Sequence, residues 1–446
     1  MTQEDKKQQI LNLISDYMSE KKQASVWSPG KDWVRYSGPH FDSKEYVAAV
    51  SSLLDEWLVM GTKGLSFEKK FPKYFDKKFG ILTNSGSSAN LIMMSALKSK
   101  RLYALPERTK VITPVAGFPT TINPIMQNNF EPVFIDVETQ TLNLDLDQLE
   151  QAAQKGARVL TFAHVLGNPP NMDRVMDIVN KYDLLFLEDC CDALGSIYKG
   201  KKLGSFGEMA SCSFYPAHHI TMGEGGFVAA KTKQLEIVAR SFRDWGRGCY
   251  CVGEKANLLK NGTCKKRFGC WLPSIPEEIF DHKYVYEEIG YNLKPTELQA
   301  AMGLEQLKKI DSIDDDRRNN YKLLFDIFKP YEEFFILPRP TEGSDPSWFA
   351  FPLTIKDNSI FTRSDFTNFF ESYKIQTRNY FAGNILLHPA YQHLSKVDDT
   401  VKRFPMATKI TIDTFFLGTS PVITSEQMEY IKHITDKFMS KYGVQR

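Results

Sequence analysis

Two histidines, His218 and His219, stand side by side in ASCSFYPAHHITMGEGGFVAA (210–230), between two short runs of β-forming residues. Imidazole, with an unperturbed pKa of about 6.5, is a general base near neutrality. Upstream, LLFLEDCCDA (184–193) reads as a strand that delivers Glu188 and Asp189 at its carboxyl end. There an aspartate either holds a heteroaromatic nitrogen in its protonated form or caps the following turn. TNSGSSANL (83–91) sets Gly86, Ser87 and Ser88 ahead of an apolar helical run. Backbone N–H groups at a helix N-terminus, with hydroxyls nearby, suit a phosphate, and the same residues suit a plain N-cap.

The seven cysteines, Cys190, Cys191, Cys212, Cys249, Cys251, Cys264 and Cys270, all fall within one fifth of the chain. They are too few for a disulfide framework and point to thiols or thiolate ligands. Small buried hydrophobes would account for any one of them but leave the clustering unexplained.

The elements that must position these groups follow from hydrophobic pattern. KVITP (110–114), PVFIDV (132–137), RVLTFAHV (158–165), LLFLEDC (184–190), ASCSFY (210–215) and GFVAAK (226–231) are short apolar runs separated by helical stretches. Such alternation predicts a parallel sheet covered on both faces, with ligands at the carboxyl ends of its strands. The first sixty residues read as peripheral and helical over 3–20 and 41–60, with a Pro- and Gly-containing loop between. Residues 240–285 break the rhythm, 290–328 read as one long helical stretch, and Pro-rich 337–348 reads as a boundary before a mixed α+β remainder. The predicted organisation is an N-terminal helical extension (1–60), a large α/β domain (61–310) with a Cys-rich insertion at about 245–285, and a small C-terminal α+β domain (311–446).

Composition bounds the function. With 446 residues, 56 Lys+Arg against 54 Asp+Glu, 42% hydrophobic and 25% charged residues, the chain is globular and near-neutral. A polybasic nucleic-acid binder and general disorder are excluded. No run reaches the roughly 18 apolar residues of a membrane span, and MTQEDKKQQI lacks a signal-peptide core, so a cytoplasmic location is expected.

With GFPTT (117–121), FIDVETQTLNLD (134–145), EDCCDA (188–193) and GYNLKPTELQAA (290–301), the His-His turn resembles the DegT/DnrJ/EryC1/StrS sugar aminotransferases. The motifs fall in family order from about residue 45 to the C-terminus. The resemblance implies the fold-type I architecture of pyridoxal-phosphate enzymes. It implies that Gly86, Ser87, Ser88 and Ser213 hold the cofactor phosphate, that Phe118 stacks on the pyridine ring and that Asp189 pairs with its nitrogen. Asp192 stands where aminotransferases usually show Gln. Asn292 resembles the residue that reaches a neighbouring subunit's phosphate, which implies a homodimer. Arg378 and His388 lie where relatives contact substrate, Arg378 being suited to nucleotide phosphates or to a surface ion pair.

One departure sets the expected chemistry. Where the family has its Schiff-base lysine this chain has His218, and no lysine occurs between Lys202 and Lys231. The resemblance reserves that exchange for sugar 3-dehydratases, in which untethered pyridoxamine 5′-phosphate carries the sugar and a hydroxyl is lost. His219 is the rival base. Cys191, Cys249, Cys251 and Cys264 resemble the ligand set of a [2Fe–2S] dehydratase acting on a CDP-linked 4-keto-6-deoxyhexose, dTDP being the alternative nucleotide. The last spacing is five residues longer than the pattern, and Cys270 is a rival ligand. A basic run, Lys255, Lys260, Lys265, Lys266 and Arg267 against Glu254, reads either as a solvated loop or as a docking site for an electron-donating flavin or iron–sulfur reductase. Alternatives are a cluster-free dehydratase, an aminotransferase, and a catalytically silent zinc-binding scaffold. His164 and His282 read as structural.

Overall fold

The computed structural model describes residues 1–249 and 267–444. Its centre is a seven-stranded sheet built from β1 (Phe79–Thr83), β2 (Lys110–Pro114), β3 (Glu131–Ile135), β4 (Val159–Ala163), β5 (Leu185–Asp189), β6 (Met209–Ser213) and β7 (Gly226–Ala230), in the order β3-β2-β4-β5-β6-β7-β1. Every strand is parallel to the rest except β7, which runs antiparallel to both neighbours. Strand alternation sorts the side chains onto two faces. Leu82, Ile112, Leu160, Phe186 and Phe227 pack with α3 (Thr62–Lys70), α6 (Leu146–Gln154) and α7 (Met172–Lys181); Ile81, Val111, Val159, Leu187 and Val228 pack under α4 (Gly86–Ala96) and α8 (Lys233–Arg243). Both faces are dry, which is why the strands read as continuous apolar runs. Phe71 illustrates the packing: fully buried, its ring lies 5.1 Å from Phe214 and 4.8 Å from Phe227, burial of the kind that contributes about 1.5–3 kcal/mol per side chain.

The C-terminal part forms an antiparallel four-stranded sheet in the order Phe335–Ile336, Ala350–Ile355, Thr414–Gly418, Arg378–Asn379. Its core takes in side chains of α10 (Ile310–Phe328), α11 (Arg363–Ser372) and α14 (Ser425–Lys441). A third cluster, with Val115, Ile122, Ala217, Phe349 and Phe416, joins the two sheets.

Two expectations change. The predicted helix over 290–328 is two helices, α9 (Glu297–Gln306) and α10, and residues 290–296 are not helical, because Pro295 disfavours helix at the residue before it and Thr296 starts α9 with a capping box. The N-terminal region is helical in α1 (Gln3–Ala24) and α2 (Ser43–Leu54), but the segment between them is not peripheral. Val34 N–H donates to Lys374 O at 2.7 Å, Gln376 N–H to Val34 O at 3.0 Å, and Ser37 Oγ to Ala217 O at 2.7 Å. Residues 34–37 thus strap the segment that leads into strand Arg378–Asn379 to the turn that carries His218.

Candidate functional site

The carboxyl ends of the parallel strands open into a cavity of about 970 Å³, as expected for an α/β sheet. Asp189 ends β5 and is 3% exposed. Its Oδ2 accepts from Asn90 Nδ2 at 2.8 Å and Thr121 Oγ1 at 2.6 Å, and its Oδ1 from Cys191 N–H at 3.0 Å and Ser211 Oγ at 3.2 Å. These donors fix the carboxylate in the cavity wall. Glu188, one residue earlier, points to the opposite face and takes Gly204 N–H at 2.8 Å, Gly207 N–H at 2.6 Å and His164 Nε2 at 3.1 Å. Burial works against the Glu188 carboxylate, but the hydrogen bond and charge of His164, with Lys77 and Gly207, hold its pKa below the usual value.

The start of α4 is capped by Ser85, whose hydroxyl accepts from Ser88 N–H at 3.1 Å. Ser85, Gly86, Ser87 and Ser213 line the cavity; Ser88 Oγ instead donates to Asn84 Oδ1 at 2.7 Å. A Cβ on Gly86 would meet Ser213 Cβ at 2.5 Å and Cys191 Sγ at 2.9 Å, so only glycine lets the start of α4 approach β6 this closely. Phe118, 48% exposed, lines the cavity at the start of α5 (Pro119–Gln127) and packs edge-on against Phe381, their ring centroids 5.8 Å apart.

His218 lines the same cavity. Its Nδ1 is buried without a hydrogen-bond partner among the described residues, and Asp192 Oδ1 stands 3.5 Å away. Burial, with the charge of Arg317, pushes the imidazole down to about 4. Burial, with Asp189 beside it, pushes the Asp192 carboxyl well up. His218 is therefore an uncharged imidazole at neutral pH. His219 turns away: it is 3% exposed and its Nε2 meets Ser347 O at 2.8 Å.

The remaining predicted residues fall into three groups. Cys191 lines the cavity, its thiol pushed well up by burial and by Asp189. Cys249 follows a stem in which Trp245 N–H donates to Tyr291 O at 2.6 Å and Gly248 N–H to Val285 O at 2.9 Å, while Cys270 is exposed. Cys251, Cys264 and the basic run from Glu254 to Lys266 lie outside the described residues; Arg267 pairs with Asp281 at 2.7 Å. Arg378 lines the cavity with its guanidinium 4.6 Å from the Tyr36 ring, whereas His388, bonded to Ala382 O at 2.7 Å, and the exposed Asn292 lie off it.

Sequence reasoning missed Asn90 and Thr121, which orient Asp189, and Tyr36, which the strap brings to the cavity. It also missed Arg317, buried beneath the His218 turn. Arg317 was legible from spacing: it shares a helical face with buried Ile310, Ile313, Asp314 and Leu324.

A sheet with one reversed strand, a strand-end aspartate, a capped helix start and a histidine turn around one cavity define a cofactor-type α/β enzyme site. The chain matches the DegT/DnrJ/EryC1/StrS aminotransferase family over residues 40–435 and belongs to it. It is 41% identical to the lipopolysaccharide biosynthesis protein RfbH of Salmonella typhimurium, with 100% of both chains covered. It is 40% identical to dTDP-4-dehydro-2,6-dideoxy-D-glucose 3-dehydratase of Saccharopolyspora spinosa, over 98% of this chain and 93% of that one. The solved E. coli GDP-4-keto-6-deoxy-D-mannose-3-dehydratase with bound hydrated PLP is similar at a TM-score of 0.77 and 27% identity, covering 91% of this chain and 99% of that one.

Proposed function

We propose that this chain removes the 3-hydroxyl of a nucleotide-linked 4-keto-6-deoxyhexose, using pyridoxamine 5′-phosphate, on the way to a 3,6-dideoxy sugar. The observation that carries the reading is the wall of the cavity: His218 lines it near Asp189, and among the described lining residues there is no lysine. Relatives named as sugar 3-dehydratases support water loss over amino transfer.

The donor set fits the cofactor. Asp189 would pair with the pyridine nitrogen, Phe118 would cover the ring, and Ser87 and Ser213 with the start of α4 would hold the phosphate. Bound there, pyridoxamine phosphate supplies a primary amine for the sugar ketone and a ring that accepts electron density. His218 takes the proton from C4′, Asp192 faces its other ring nitrogen, and Arg378 at the mouth meets the nucleotide phosphates. The 3-hydroxyl would leave as water once the protonated His218 returns to it the proton taken from C4′. Asn292, exposed on this chain, would reach the cofactor of a second copy in a homodimer.

The proposal extends to a [2Fe–2S] cluster on Cys191, Cys249, Cys251 and Cys264, passing electrons singly from a flavin or iron–sulfur reductase. Its support is the cysteine spacing and the place of Cys191 in the cofactor cavity wall.

Anaerobic purification, iron and sulfide analysis, and an EPR spectrum after dithionite reduction separate these readings. A reduced two-iron signal supports the cluster; dehydration without iron leaves the simpler enzyme. Turnover with CDP-, dTDP- and GDP-linked 4-ketohexoses identifies the nucleotide, and amino transfer without water loss from all three would sink the dehydratase reading.

A further inference from the structure

Arg317 is 1% exposed, and among the described residues no carboxylate oxygen lies within 4.0 Å of its nitrogens. A guanidinium taken out of water without an ion-pair partner is costly, so the destinations of its donors matter. Both Nη atoms reach backbone carbonyls, while Nε is buried without a partner among the described residues. Nη1 donates to Trp348 O at 3.2 Å and Phe349 O at 3.0 Å, and Nη2 to His218 O at 3.3 Å and Ala217 O at 3.5 Å. One planar fork therefore spans two chain segments, the His turn and the start of the C-terminal sheet.

Those segments touch at two further points. His219 Nε2 meets Ser347 O at 2.8 Å, and the rings of His218 and Phe349 lie 5.2 Å apart. Ser37, from the N-terminal strap, adds its hydroxyl to Ala217 O at 2.7 Å. Apart from a backbone contact at Cys191, the His218 ring has no such anchor: among the described residues its Nδ1 is buried without a hydrogen-bond partner. Its direction is set by the backbone beneath it and the Phe349 ring beside it, and Arg317 binds the carbonyls of both.

We propose that Arg317 is a positioning residue for His218: its fork ties the carbonyls of Ala217 and His218 to those of Trp348 and Phe349 and so aims the imidazole into the cavity. The inference rests on the reading of His218 as the base. Lysine keeps the charge at this position but loses the planar fork that meets two carbonyl pairs at once. A side chain displaced by about 1 Å from its working position loses about a hundredfold in rate, whereas binding of a ligand held elsewhere is little changed.

The test places the variants in a His218→Lys background, where a lysine at 218 captures pyridoxal phosphate covalently and borohydride fixes the adduct for mass spectrometry. Arg317→Met should slow capture about a hundredfold and Arg317→Lys about tenfold, while non-covalent pyridoxal phosphate binding stays within about twofold. With His218 intact, the same variants should lower C4′ proton exchange at saturating substrate and leave KM near the parent value. Ser37→Ala, which removes one hydroxyl donor, should cost about two- to tenfold in exchange. Should Arg317→Met fail to fold, Arg317→Lys alone decides. Capture and exchange at parental rates in Arg317→Lys, with only the melting temperature changed, overturn the proposal and leave the base reading intact. Absence of C4′ exchange in the parent protein, with no capture by His218→Lys, overturns both.

Discussion

On one face of β5 the Glu188 carboxylate is sealed between Gly204, Gly207 and His164 at 0% exposure; on the other, Asp189 is gripped by four donors yet still lines a cavity. The same division separates His219, buried against Ser347, from His218, which faces the cavity with Nδ1 unpaired. Each pair has neighbours in sequence with one residue type or charge. In the first, strand alternation alone decides which member is sealed in the fold and which faces the cavity. The lesson is that satisfied hydrogen bonding does not separate the two roles, since Asp189 is as well bonded as Glu188; access to the cavity does.

The comparison can be broken by substitution. His218→Asn should lower C4′ proton exchange by about 10²- to 10⁴-fold, with the thermal midpoint near the parent value. Glu188→Ala should do the reverse, costing about 3–5 kcal/mol in denaturant unfolding because it strips a buried partner from His164, while activity per folded molecule persists. Equal activity losses in the two variants would erase the distinction.

Stability against pH sharpens it. The Glu188 pKa lies below its unfolded value of about 4.5, so its contribution is complete above that pH and is lost as pH falls below it. Asp314, beneath Ser347, behaves oppositely: burial raises its carboxyl to about 6. The folded chain keeps a proton that the unfolded chain releases between about pH 4 and 6, so this group destabilises by about 3 kcal/mol as pH rises through that window. Asp314→Asn should flatten that decline, and Glu188→Gln the acid-side fall, in melting curves taken from pH 3 to 7. The smallest effect belongs to His219→Ala, about 1–3 kcal/mol of stability with exchange kinetics retained.

Most of the sheet was legible because buried parallel strands are short apolar runs, and the predicted runs agree with β2 to β7 within two residues at each end. β1 was missed: its Gly80 interrupts the β-forming pattern, yet a Cβ there would lie 2.3 Å from the Phe227 ring, so packing and not propensity places that strand. The motif residues Asp189, Gly86, Phe118 and Ser213 came to one cavity because each sits at a strand end or helix start, where local sequence carries a signal, and His218 joins them from the turn after β6. Tyr36 and Ser37 left none. Their partners, Gln376 and Ala217, are far off in sequence, and no local pattern encodes such a contact.

That crossing strand has a practical side. The family match starts at residue 40, just beyond it. A shortened gene product cut to the bounds of that family match would keep the motifs yet lack the Tyr36 side of the chamber and the hydroxyl resting on Ala217. Its lost turnover would then be misread as a fault in the chemistry.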